Sequence, residues 1–223
     1  MDKKLFVQAL CKFFIGAALC MALVFLPAGT LRFPGGWLFM AVLFVPMFVG
    51  GLVMMAKCPE LLRKRLDAKE KEGEQKFVVI ASGMIFILCF VTAGLNFRFG
   101  WLALPKGVTI GACVVFLLSY VMYGEVLREN EYLSRTIEVQ KDQKVVDTGL
   151  YGVVRHPMYT ATILMFLAIP LILGSLPSFL ILLLYPALIV KRIGNEEKVL
   201  EDGLKGYSEY KQKVKYRLVP FIW

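Results

Sequence analysis

Four predominantly apolar runs, near residues 5–26, 37–56, 77–95 and 102–123, are each close to the roughly 20 residues that an α-helix needs to cross the hydrocarbon core of a bilayer. Their length constrains this chain more than any other feature. With 58% hydrophobic and only 19% charged residues, the 223-residue sequence is well below the roughly one-quarter charged content of soluble domains. The excess apolar surface must face lipid. Two shorter apolar runs, 158–173 and 178–190, flank Gly174-Ser175-Leu176-Pro177. They form a tight hairpin that either crosses twice or re-enters the same face, and two crossings are the preferred reading. The fold class is therefore an all-α integral membrane protein of about six transmembrane helices, the last two a short hairpin, with a small polar region on one side.

Charge placement orients the chain, because Lys and Arg concentrate in cytoplasmic loops. Apart from Arg32, Arg98 and Lys106, all 26 Lys and Arg residues lie at the N-terminal end, in 57–76, in 125–157 or beyond residue 190. Every Asp and Glu lies on that side too. Both termini and the polar regions are therefore expected in the cytosol, giving a multi-pass protein of the inner membrane if the source is prokaryotic. The net charge of +9 suits a juxtamembrane surface facing anionic headgroups and calls for no nucleic acid. Five cysteines without Cys-x-x-Cys spacing, mostly within apolar runs, imply neither a disulfide framework nor a metal site.

One domain, 1–223, divides into four N-terminal spans (1–124) with a charged loop at 57–76, and a C-terminal half (125–223). In the loop, Pro59 opens a segment, 60–72, expected to be a short helix lying on the membrane surface, with a solvated connector as the alternative. After the fourth span, β-branched runs at 136–140 and 144–147 around Lys141-Asp142-Gln143 predict a small hairpin. Pro157 suits the first position of a helix. That placement sets free backbone N–H groups beside Arg155 and His156, the sole histidine, an arrangement able to hold a carboxylate or phosphate. Contact of the same two residues with lipid headgroups competes with that reading. Further on, Glu196 falls on the stripe of Ile189, Ile193 and Leu200, with Glu197 at its edge. A carboxylate on an apolar stripe needs a partner, and a solvated juxtamembrane helix is the alternative.

The segments VQKDQKVVDTGLYGVVRHPMYTA and RIGNEEKVLEDGLKGYSEYKQKVKYRLVPFIW resemble the isoprenylcysteine carboxyl methyltransferase family, and the PELLRKRL…KEGEQK loop is similar too. The resemblance covers about the C-terminal half of the chain. It implies S-adenosylmethionine as cofactor, bound through Tyr151, Arg155, His156, Pro157, Tyr159, Glu196 and Glu197. Arg155, His156 and Glu196 would be the catalytic set, and no metal would be needed. The acceptor would be lipid-like or prenylated and reached from membrane lipid, with isoprenylcysteine-type carboxyl O-methylation foremost. Gly152 and Ala161 depart from the family pattern, where a large residue and a glycine respectively are usual. Rival readings are a phospholipid N-methyltransferase, an NADPH-dependent sterol-type reductase, and a transporter or scaffold without catalysis. The last of these would place ionisable residues in mid-span, whereas here they lie almost wholly at the ends.

Overall fold

A computed structural model describes residues 3–66, 73–134 and 137–223. Among these residues the regular elements are all helices, with no strand. Helices α1 (Lys3–Ala28), α2 (Pro34–Lys57), α4 (Gly73–Phe99) and α5 (Lys106–Glu129) correspond to the four long apolar runs. Between α2 and α4 lies the short α3 (Pro59–Leu66), begun by proline as expected; the rest of that expected surface helix, residues 67–72, lies outside the described residues. Helix α6 (Pro157–Ile172) follows a 3-10 turn at Gly149–Gly152. Helices α7 (Leu176–Leu182), α8 (Tyr185–Gly203) and α9 (Tyr207–Lys213) complete the order.

The hairpin of short apolar helices is asymmetric. At about 1.5 Å per residue, the 16 residues of α6 rise about 24 Å, less than the roughly 30 Å core. Its partner is longer than the apolar composition suggests, because α7 and α8 run on as one candidate span, Leu176–Gly203. That brings the helices long and apolar enough to cross a membrane to five among the described residues, with α6 a shorter apolar helix beside them. Gly174, at φ +71, makes the reversal in a left-handed conformation. Ser175 then caps α7 by accepting the Ser178 N–H.

The bundle core lies where α1, α2, α4, α5 and α6 meet, around Val24, Phe39, Ala93, Phe116 and Ile172. Outward faces carry exposed Ile15, Leu88, Ile110, Leu118 and Val121, an apolar exterior suited to lipid. Helices α1 and α4 approach most closely at Gly94. A methyl group there would stand 2.6 Å from the Val24 carbonyl oxygen and 2.9 Å from the Ala28 nitrogen. Small residues permit such backbone proximity between membrane helices.

Polar groups collect at one end. Lys12 Nζ donates to the Leu66 carbonyl at 2.5 Å and Lys64 Nζ to the Glu131 carbonyl at 3.2 Å. Arg65 reaches the Tyr123 hydroxyl and the Ser134 carbonyl. Helix α3 thereby braces the segment after α5. The expected 136–147 hairpin does not form among the described residues, and Thr136 lies outside them. The turn itself is present, with Asp142 at φ 57 and the Gln143 N–H donating to the Gln140 carbonyl. Its flanks follow tertiary contacts instead of pairing with each other. Val139 and Val145 pack against Leu204, Tyr207, Tyr210 and Val214, and the Gln140 amide donates to the Tyr132 carbonyl.

Candidate functional site

Construction of the site begins at the first residues of α6. Gly149 adopts a left-handed φ of +52, and a side chain there would run into the Glu129 carboxylate. The turn it allows sends Tyr151 inward, where its hydroxyl accepts a hydrogen bond from Asn130 at 3.0 Å. The chain then passes through Arg155 and His156 into Pro157, the first residue of the helix. The backbone N–H groups of Arg155 and His156 donate to the carbonyls of Tyr216 and Arg217, both at 2.9 Å. The segment following α9 therefore lies alongside the start of α6 and occupies part of the open N-terminus expected from sequence.

Glu197 is the hub of this junction. It is 2% exposed and surrounded by cations. Arg155 Nε donates to its Oε1 at 2.8 Å, and His156 Nε2 lies 3.3 Å from the same oxygen. Arg217 donates to Oε2 through Nε at 3.0 Å and Nη2 at 2.8 Å. Arg155 Nη1 also donates to the carbonyls of Val214 and Lys215. A carboxylate bonded to this many charged donors is a strong junction. It is Glu197, four residues beyond Ile193 and eight beyond Ile189, that shares their buried face. Glu196, placed on the stripe by the sequence reading, is half-buried.

Glu196 lines an open pocket together with Tyr159 and Arg192. The Tyr159 hydroxyl donates to Glu196 Oε2 at 2.5 Å and accepts from Arg192 Nε at 2.9 Å. Of the residues expected at a site, Tyr151, Arg155, His156, Tyr159 and Glu196 line this pocket. Pro157 and Glu197 are not among its lining residues; Pro157 fixes the helix start and Glu197 holds Arg155, His156 and the following segment in place.

The sequence reading did not single out Asn130, Arg192, Tyr207, Tyr210 and Arg217. Tyr207 and Tyr210, three residues apart on α9, carried the available signal, since that spacing puts both on one helix face. The Tyr210 hydroxyl donates to the Tyr151 carbonyl at 2.7 Å. Burial pushes the phenols of Tyr151, Tyr207 and Tyr210 above their ordinary range, and at Tyr207 the carboxylates of Glu197 and Glu196 add to the effect. All three remain neutral at physiological pH. Among the described residues, no group of three or more His, Cys, Asp or Glu side chains could hold a metal ion.

The donor and acceptor set fits S-adenosylmethionine. Glu196 is suited to its ammonium and ribose groups, the cations at this junction to its carboxylate, and the apolar wall of Val145, Leu200 and Leu204 to a heterocycle.

A segment of mouse Delta(14)-sterol reductase TM7SF2 is 31% identical to this chain over 91 residues. That match covers 40% of this chain and 22% of the reductase, so the two share only about a fifth of the reductase's length. Residues 108–205, from the start of α5 to the end of α8 and thus through most of the pocket wall, match the phospholipid methyltransferase family.

Proposed function

We propose that the protein is a membrane methyltransferase that binds S-adenosylmethionine in the pocket between α5, α6, α8 and α9 and methylates a lipid-type acceptor at the cytosolic boundary. The observation that carries this reading is that the Arg155–His156 corner and Glu196, which the Tyr159 hydroxyl holds, line one pocket inside the region similar to phospholipid methyltransferases. Bound S-adenosylmethionine supplies an electrophilic methyl on sulfonium sulfur. The chain's part is alignment: the acceptor's lone pair must approach in line with the carbon–sulfur bond that breaks, so positioning carries most of the rate enhancement. A carboxylate acceptor needs no base. A phospholipid amine must lose a proton, and Glu196, held by Tyr159 at the pocket wall, is placed to accept it.

The family match favours an amine-bearing phospholipid as acceptor, while the sequence resemblance points to a prenylated carboxylate. Transfer of radiolabelled methyl to phosphatidylethanolamine or to a prenylcysteine in mixed micelles separates the two. The partial likeness to a sterol reductase supports a second reading with NADPH. Calorimetric titration of the detergent-purified protein should give heat with S-adenosylmethionine and none with NADPH; the reverse result overturns the proposal.

Within this reading, Glu196→Gln should raise the S-adenosylmethionine dissociation constant about tenfold or more, since a hydrogen bond to a charged group is worth about 1.5–3 kcal/mol. Glu201→Gln should change little, because Glu201 is exposed and paired with Lys211. Equal, small effects would mean that Glu196 only faces water.

The polar end of the bundle carries the basic loops and the pocket, which supports a cytosolic placement of both termini. A single cysteine at Asp142→Cys, in an otherwise cysteine-free protein, should react with an impermeant maleimide only after the cells are opened. Efficient labelling of intact cells would reverse the orientation.

A further inference from the structure

One pocket residue has no part in the mechanism above. Tyr207 is 4% exposed and forms part of the pocket wall, yet its hydroxyl has no hydrogen-bond partner. A buried hydroxyl without a partner is destabilising. The neighbouring Tyr210 is satisfied by the Tyr151 carbonyl at 2.7 Å, so local geometry does not prevent pairing on this face of α9.

The Tyr207 ring is held in place. Gly206 enters α9 at φ +89, and the ring packs with Leu204, Tyr210, Val214 and the two loop valines. Turning the hydroxyl out to water would uncover that apolar cluster.

Three of the four oxygens of the nearby carboxylates already accept hydrogen bonds. Both oxygens of Glu197 receive bonds from Arg155, His156 and Arg217, and Glu196 Oε2 receives one from Tyr159. Burial and the two carboxylates keep the phenol protonated, so it offers a donor to an acceptor entering the pocket. Arg155, Arg217, Lys211 and Arg192 outnumber Glu196, Glu197 and the Lys211 partner Glu201 at this junction, and such a surplus of cations favours an anionic acceptor.

We propose that the Tyr207 hydroxyl is a ligand-binding donor that receives a carboxylate oxygen of the molecule held in the pocket. Resting on the methyltransferase reading, this carboxylate is the one on the amino-acid end of S-adenosylmethionine or its product.

The test uses Tyr207→Phe, which removes one oxygen and leaves the ring. Two probes are titrated into the detergent-purified full chain: S-adenosylhomocysteine, which carries the amino-acid carboxylate, and methylthioadenosine, which lacks it. Melting temperature is followed alongside dissociation constant. Ligand-free Tyr207→Phe should melt at or above the wild-type temperature, because an unsatisfied buried group is lost. Its dissociation constant for S-adenosylhomocysteine should rise about tenfold or more, while that for methylthioadenosine stays unchanged.

Three outcomes overturn the assignment. Unchanged binding of S-adenosylhomocysteine would mean that the hydroxyl serves no ligand. Equal weakening of both probes would place it against the nucleoside. A clearly less stable ligand-free variant would make the hydroxyl structural. If the wild-type protein itself binds neither probe, the methyltransferase reading fails and takes this assignment with it; if the wild type binds and Tyr207→Phe binds equally well, only the assignment fails.

Discussion

Replacing Glu197 by alanine should destabilise the protein by about 3–5 kcal/mol, the cost typical of removing one partner from a buried ion pair. The reason lies in what remains: Arg155, 8% exposed, would keep its charge without a counter-ion, and Arg217 would lose both of its bonds to the carboxylate. Denaturant unfolding in detergent, followed by tryptophan fluorescence, would read the loss. The companion double variant, Arg155→Met with Glu197→Leu, should lose less than the sum of the two single changes, because it leaves no unpaired charge behind. A loss at Glu197→Ala no larger than that at Glu201→Gln would mean that the cations relax into water.

The second large effect is expected far from the pocket. Gly94→Val would drive a branched side chain into the backbone of α1, where the carbonyl of Val24 and the nitrogen of Ala28 already limit space for a single methyl. Backbone cannot swing aside as a side chain can. Overpacking of this kind costs typically about 1–3 kcal/mol, and the effect on folded yield in membranes should exceed that of Gly83→Val, since nothing lies within 4 Å of a methyl at Gly83. Equal yields would show that α1 and α4 can separate without penalty.

These two residues illustrate what sequence makes legible. The spans were readable because lipid leaves little choice: an apolar run of membrane length must be helical, and α1, α2, α4 and α5 follow the runs closely. The start of α6 was readable from Pro157, whose ring fits a first helical turn and little else. Periodicity misjudged the acidic pair because spacings of three and four both keep residues near one helix face. The buried face of α8 proved to be Tyr185, Ile189, Ile193 and Glu197, each four apart. What tips the balance is the cluster of Arg155, His156 and Arg217, contributed by segments far away in the chain, and no local window contains it. The missing hairpin has the same cause: Val139 and Val145 have high strand propensity, but burial against Leu204, Tyr207 and Tyr210 outweighs a two-stranded ladder that is marginal in water. Gly94 was invisible as a contact site, since only the partner helix reveals how close the backbones come.

The docking of residues 214–218 onto the start of α6 also sets an order of events. Arg155 bonds to carbonyls 59 and 60 residues further along the chain, and Thr160 bonds to the Leu218 carbonyl, 58 residues on. During synthesis the ribosome delivers α6 well before the segment that completes its polar end. Helices α1 to α6 can therefore enter the bilayer while the pocket still lacks a wall, and closing so long a loop is slow compared with forming a helix. The Arg155 junction would thus be completed as a late maturation step, and a nascent chain stalled short of residue 214 would be inserted with Arg155 lacking its Val214 and Lys215 carbonyl partners.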